Sequence, residues 1–370
     1  MYSRLKKLTE YPLLIIFIIL ILFFFLSYLF TPVKEKSEWE NRYLTLKPDV
    51  NISDIADGTY MQKFENYTND QIIYRDILIK TKAVCEMILF KNCNNGIARG
   101  RESNLFTEDI NDASLFNKNK EVIKKFIEKR DRNYIVAIAP NACCINSKFI
   151  PCGMPYPNQK LEISNFNKEV SLLKNTHVVD LVETLESHGE EYLYYRTDHH
   201  WTTRGAYLAY REISNNPIEI CTLKENRIED FYGTLYAKYK GLFVEPDVVS
   251  YYDIPIEEAV FGDVKTDTMY DLSKTSEFDK YGMFLYGNSG CSTIKTKCKN
   301  GKSLIVFKDS YANSVIPFLT NDYSDITVID LRYFGDSVEE LLDKDGDSDI
   351  LMLYNFDFLN EDNHMYKLLK

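Results

Sequence analysis

The chain has 370 residues, of which 45% are hydrophobic and 27% charged, and a formal net charge of −11 at pH 7. That is enough apolar material for one large domain or one domain plus a smaller module, and the acidic balance excludes a nucleic-acid binder, which needs a basic face. It is also unlike a surface built to lie on anionic lipid. The 27 Tyr and 22 Phe suit stacking on sugar rings and equally suit ordinary core and strand packing.

Residues 1–10 carry Arg4, Lys6 and Lys7 and read as a cytoplasmic tail. An apolar run follows from Leu13 to Phe30, interrupted by Ser27 and Tyr28. It is about long enough to cross the ~30 Å hydrocarbon core as a helix. The basic residues ahead of it predict a cytoplasmic N-terminus and place everything after Phe30 outside. Thr31-Pro32-Val33-Lys34-Glu35 offers no small-x-small cleavage site, so 11–30 is expected to be an uncleaved transmembrane signal anchor rather than a signal peptide. The expected localisation is the cell membrane, single-pass, with the bulk of the chain extracytoplasmic.

Residues 31–112 form a polar, irregular juxtamembrane segment. Phe64, Tyr67, Ile72, Ile73 and Ile77 follow helical spacing and predict one or two amphipathic helices over 59–85. Asp57 or Thr59 supplies the N-cap.

From 113 to 370 the pattern alternates between helix and strand. A helix is expected over 113–129. Continuous apolar runs at 134–139, 176–182, 303–307, 326–331 and 349–354 predict five strands. Further helices fall at 203–213 and at 313–319, the latter interrupted by Pro317. Near-continuous apolar strands between helices predict an α/β domain, a three-layer parallel sheet covered on both faces. The stretch 216–300 breaks the rhythm and is expected as an insertion. It contains Phe231-Tyr232-Gly233-Thr234 and Gly287-Asn288.

The eight cysteines sit on the side of the membrane where disulfides form. Cys291 with Cys298 and Cys85 with Cys93 are the nearest local pairs. Some disulfides and some free buried thiols are expected.

Two of the five histidines, His199 and His200, stand together after Asp198 and before Trp201, one of two tryptophans. An Asp, a His and a hydroxyl nucleophile can carry acyl transfer: the Asp fixes the imidazole tautomer, and the imidazole takes the nucleophile's proton. In an extended segment Asp198 and His200 share one side and His199 faces the other. Consecutive residues are poor ligands for one ion, so no metal site is expected here, and no cofactor motif is visible. Ser310 falls at the turn after the 303–307 strand. It reads either as a helix cap or as a nucleophile exposed at the carboxyl edge of the sheet, where such sites form.

The segments Arg196-Thr197-Asp198-His199-His200-Trp201-Thr202, Lys308-Asp309-Ser310-Tyr311-Ala312-Asn313-Ser314 and Asp330-Leu331-Arg332-Tyr333-Phe334 resemble the DHHW protein family. They also resemble the related alginate O-acetyltransferase proteins of the SGNH hydrolase superfamily. Ser37-Glu38, Glu40-Asn41-Arg42, Asp70-Gln71 and Arg75-Asp76 match the N-terminal part of that family, so the resemblance covers roughly 35–360. It implies an SGNH-hydrolase-like fold and a Ser-His-Asp triad moving acetyl groups onto or off extracellular polysaccharide. Carried over by motif, Asp198 orients His200, His200 is the general base and Ser310 the nucleophile. The relatives commonly show Gly-Asp-Ser, whereas Lys308 stands in place of that Gly. Gly287, Asn288 and Asn313 are oxyanion candidates. Trp201 reads as support for the site or as a sugar platform, His199 as a dispensable neighbour, and Arg332 as a contact for an acidic sugar or a plain surface charge.

The resulting expectation is a membrane-anchored O-acetyltransferase with a polysaccharide acceptor. A single expected span cannot carry acetyl across a membrane, so a multispanning membrane-bound O-acyltransferase-type donor protein is the implied partner. A carbohydrate acetylesterase with the same triad shares the acyl-enzyme step, and a non-catalytic glycan-binding or scaffold protein is the reading from another class.

Overall fold

The structure, a computed structural model, describes residues 11–37, 42–108 and 114–370. The tail expected at 1–10 and the motif residues Glu38, Glu40 and Asn41 lie outside the described residues. Two compact units comprise residues 1–91 and 92–370.

In the first unit, Pro12–Phe30 forms a 19-residue helix, roughly 28 Å long at 1.5 Å per residue. Its apolar side chains are largely exposed. Among the described residues no helix is long and apolar enough to cross a membrane, so the transmembrane span expected at 11–30 is not supported by them. The side chain of Leu29, inside this helix, is outside the described set.

The expected amphipathic segment is two helices, Thr59–Gln71 and Arg75–Ile88. The N-cap of the first helix is Gly58, in the left-handed region, rather than Asp57 or Thr59; Asp57, one residue before it, accepts the Thr59 N–H at 2.9 Å and the Thr59 hydroxyl at 2.6 Å. The motif residues Asp70 and Gln71 are structural ties. Asp70 accepts two bonds from Arg42 and two from Thr45; the Arg42 hydrogen bond holds its carboxyl well below the usual carboxylate range. Gln71 bonds the backbone of Lys34 and Thr45.

The second unit is built on an eight-stranded sheet. Its strands are β1 (Tyr134–Ala139), β2 (Thr176–Val179), β3 (Ile256–Phe261), β4 (Val264–Thr266), β5 (Cys291–Thr296), β6 (Ser303–Lys308), β7 (Asp325–Ile329) and β8 (Asp349–Asn355). The spatial order is β4-β3-β5-β7-β6-β8-β1-β2. The five strands from β7 to β2 are parallel; β5, β3 and β4 add to the β7 edge antiparallel.

The sheet is therefore mixed rather than parallel. The stretch 216–300 is not a simple insertion, because it contributes these three strands. They escaped the apolar-run criterion because none is a continuous buried run: β4 is a short strand with no buried residue, and β5 reads exposed-buried along its whole length, the signature of a strand with one wetted face.

Successive residues of the parallel strands feed two cores. Val136, Ile138, Ile305, Phe307, Ile350 and Met352 pack with the helices Ser114–Lys129, Gln159–Val170 and Phe356–Glu361 on one face. Ala137, Ala139, Leu304, Val306, Leu351 and Leu353 pack with Thr203–Ile213 and Ile316–Leu319 on the other. Helices thus cover both faces. All eight cysteines are free thiols, so neither expected local pair forms a disulfide.

The carboxyl ends of β6, β8 and β1 are tied together. Asp309 accepts the Asn355 N–H at 2.6 Å, and the Asn355 side chain donates to Ala139 O at 3.1 Å. The crossover from β6 leads to β7 on one side and that from β1 leads to β2 on the other. The edge between them is where a ligand crevice forms in open α/β sheets.

Candidate active site

Residues 194–201 form a tight hairpin rather than an extended strand. Tyr194 bridges Trp201, and the Tyr195 N–H donates to His200 O at 3.2 Å. The Tyr194 hydroxyl donates to Pro140 O at 2.7 Å, fixing the hairpin beyond the end of β1. Its tip is shaped by Asp247, a fully buried carboxylate. Asp247 accepts from the backbone N–H and hydroxyl of Thr197 at 2.8 and 2.6 Å and from the N–H of Arg196 at 3.1 Å.

The tip brings Asp198, His200 and Ser310 into one line. Asp198 Oδ1 lies 2.5 Å from His200 Nδ1, and His200 Nε2 lies 2.8 Å from Ser310 Oγ. The other Asp198 oxygen accepts the Thr234 N–H at 2.7 Å and its hydroxyl at 3.0 Å. Burial by itself raises the Asp198 pKa. The His199 and His200 rings, the His200 hydrogen bond and the Thr234 N–H outweigh it, and the carboxyl ends well below its ordinary range. An ionised carboxylate only accepts, so Nδ1 carries the imidazole proton and the Nε2 lone pair faces the Ser310 hydroxyl. That is the tautomer a general base needs.

Ser310 opens the 3₁₀ turn Ser310–Ser314 directly after β6. The cap of that turn is Asp309, whose carboxylate accepts the Tyr311 N–H at 2.9 Å. The alternative role for Ser310 is thus taken by its neighbour, which leaves Oγ to His200. Burial pushes the Asp309 carboxyl up to about 6. The Ser310 backbone N–H has no acceptor among the described residues, and it points from a strand-to-turn junction suited to an oxyanion.

The remaining sequence candidates separate clearly. His199 does not face away from Asp198. Its ring lies 3.8 Å from that of His200 and its Nδ1 contacts Thr234 Oγ1 at 2.6 Å, because the hairpin tip abolishes the strand alternation. Trp201 is completely buried, with its indole N–H donating to Tyr311 O at 2.9 Å; no face is open to a sugar ring. Arg332 clasps the buried Asp330 at 2.9 and 2.6 Å, which makes it neither a bare surface charge nor a free acid-binding fork. Gly287 spends its N–H on Phe284 O at 3.0 Å and so is no oxyanion donor. Asn288 and Asn313 meet each other at 3.2 Å and both contact Lys308 Nζ, at 2.8 and 2.7 Å.

Asp198, His199 and His200 offer donor atoms within 4.8 Å of one another, so consecutive residues do converge here, contrary to the expectation from spacing. Both Asp198 oxygens already accept two hydrogen bonds each. The donor set therefore fits a hydrogen-bonded orienting acid better than a metal ligand.

Thr234, Asp247, Tyr281 and the role of Lys308 were not singled out by sequence reasoning. The first three come from the irregular stretch 216–300. The Gly233-Thr234 pair had one local signal: a Cβ on Gly233 would sit 2.2 Å from Asp198 Cβ, so the backbone reaches the carboxylate because residue 233 is glycine.

Residues 157–329 match the family model described as DHHW protein, and the resemblance drawn from the motifs holds over that stretch. Among solved structures, a DHHW family protein from Eubacterium siraeum is 24% identical, with a TM-score of 0.62 covering 75% of this chain and 96% of that one. Bacillus cereus PatB1 is 17% identical, with a TM-score of 0.60 covering 72% and 97%; the same protein is also known with a sulfonyl adduct, at 17%, 0.60, 74% and 98%. The O-acetyltransferase domain of Pseudomonas putida AlgJ is more distant, at 14% identity and a TM-score of 0.46 over 72% of this chain and 93% of that one. These identities speak to fold alone. No curated protein matches the sequence.

Proposed function

We propose that the protein is an O-acetyltransferase that modifies a cell-surface or secreted polysaccharide through an acyl-enzyme on Ser310. The carrying observation is the Asp198–His200–Ser310 line, 2.5 and 2.8 Å between successive partners. Ser310 Oγ attacks the acetyl carbonyl as its proton passes to His200 Nε2. The donor's leaving oxygen takes that proton as its bond to the acetyl carbon breaks. A glycan hydroxyl then gives its proton to Nε2 and attacks the acyl-enzyme, and Ser310 regains the proton as it departs. Asp198 stays ionised throughout and stabilises the imidazolium.

The reading keeps the chain at a membrane through its apolar run 13–30, with the catalytic unit extracytoplasmic. The apolar run and the basic residues ahead of it support that part. The acetyl donor would then be a multispanning membrane protein, and the acceptor a polysaccharide, in line with the motif resemblance.

The test is incubation of the protein with an activated acetyl ester, with and without an oligosaccharide, read by mass spectrometry. An acetyl adduct on Ser310 and acetylated sugar are expected. Free acetate alone would convert the reading to an esterase. A folded protein with no adduct at all would favour a non-catalytic role.

A further inference from the structure

We propose that Lys308 is a positioning residue of this site: its ammonium group clamps the carbonyl ends of Asn288 and Asn313 and so turns their amide N–H groups toward the acyl oxygen on Ser310. The proposal rests on the acyl-transfer reading above.

Lys308 is the last residue of β6, two before Ser310, and its side chain is 2% exposed. Burying an ammonium is costly unless acceptors surround it. The acceptors here are Asn313 Oδ1 at 2.7 Å, Asn288 Oδ1 at 2.8 Å and, more loosely, Asp330 Oδ2 at 3.6 Å. An ammonium has three donors and no acceptor, so both amides must present oxygen to it and NH₂ away from it. One Asn313 N–H goes to Asn288 Oδ1 at 3.2 Å. The second Asn313 N–H and both of Asn288 have no protein acceptor among the described residues.

Asn313 follows Ser310 by one turn of a 3₁₀ helix, a geometry in which residues three apart share a face. The proposal aims the remaining Asn313 N–H, on the Ser310 face of the turn, and the Asn288 amide held against it, at the negative oxygen of a tetrahedral intermediate. Lys308 also polarises both amides and adds a positive charge to that side of the site. Asp330 and Arg332 after β7, and Asp309 beside it, are the other charged groups around the ammonium.

The experiment uses the full chain and 4-nitrophenyl acetate, with K308M, K308R, N288A and K308M/N288A. K308M is expected to lower kcat about 100-fold, the scale for losing an oxyanion donor, with KM nearly unchanged. K308R should recover part of the loss. The double variant should be no worse than K308M alone, because an amide without its clamp has already lost its aim. A wild-type kcat in K308M would overturn the proposal, as would K308M and N288A losses that multiply independently. If K308M fails to fold by its thermal melt, N288A decides alone, since Asn288 is exposed; wild-type kcat in N288A overturns the proposal. A wild-type protein that neither turns over the ester nor takes up a sulfonyl fluoride at Ser310 would instead sink the acyl-transfer reading itself, and this proposal with it.

Discussion

The Tyr281 ring lies flat on the imidazole of His200, with centroids 3.8 Å apart and planes 11° apart. The Tyr281 hydroxyl donates to Ser310 O at 3.0 Å, so one side chain from the irregular stretch 216–300 braces both His200 and Ser310. Asp198 fixes the ring's tautomer from its edge, and Tyr281 fixes its tilt from its face. Y281A is expected to lower kcat about tenfold, the equivalent of one lost aromatic contact, and to lower stability by about 3 kcal/mol through the cavity it leaves. Y281F should keep most of the activity. Steady-state kinetics on an acetyl ester with thermal melts would check this; equal losses in Y281A and Y281F would show that the hydroxyl, not the stack, matters.

The two histidines differ in what they touch. His200 contacts both Asp198 and Ser310, whereas His199 contacts Thr234 and has a side chain 44% exposed. H200A is expected to cost about 10³- to 10⁴-fold in kcat, and D198N a similar factor through the wrong tautomer. H199A should cost less than about tenfold, since the Thr234 N–H still holds Asp198. The rate at which a sulfonyl fluoride labels Ser310 gives the same ranking by a second measurement. A H199A loss as large as that of H200A would assign the base wrongly.

Gly233 leaves no room beside Asp198. An added Cβ would meet Asp198 Oδ2 at 2.3 Å and its Cβ at 2.2 Å. G233A is therefore expected to push the carboxylate off His200 and to reproduce the D198N loss with Asp198 still present. The overpacking should also cost about 1–3 kcal/mol of stability. A G233A protein with wild-type kcat would mean that the Asp198 loop yields without disturbing the triad.

Much of this was readable from the chain because the signals were local. The runs Tyr134–Ala139 and 304–307 are buried on both faces, so they are continuously apolar and announce parallel strands. Asp198, His200 and Ser310 could be nominated because each carries its chemistry in its own side chain. The antiparallel edge was not readable, since β3 and β5 alternate and sit among turns. Thr234, Asp247 and Tyr281 were equally silent: their roles are hydrogen bonds and stacking to residues 29 to 81 positions away, which no sequence spacing encodes. His199 was misplaced for a related reason, because Asp247 folds residues 196–199 into a hairpin tip and cancels the period-two rule.

Lys308 also predicts how stability depends on pH. Burial pulls its ammonium down to about 8, with Asp330 opposing that shift, while in the unfolded chain it keeps an ordinary lysine value near 10.4. Between those two values the unfolded state binds more protons than the native one, so the Lys308 contribution makes stability rise with pH across about 8 to 10.4, and below 8, where both states are protonated, it is flat. The full swing is on the order of 3 kcal/mol. K308M lacks this group, so the difference in unfolding free energy between wild type and K308M cancels the titrating side chains away from the site and leaves Lys308 with its neighbours Asp330, Asp309 and Arg332. Denaturant unfolding at pH 7, 8, 9 and 10 should show wild type gaining on K308M at each step above 8. A difference that stays flat would mean that Lys308 is charged throughout, held by Asp330 more firmly than its 3.6 Å separation implies.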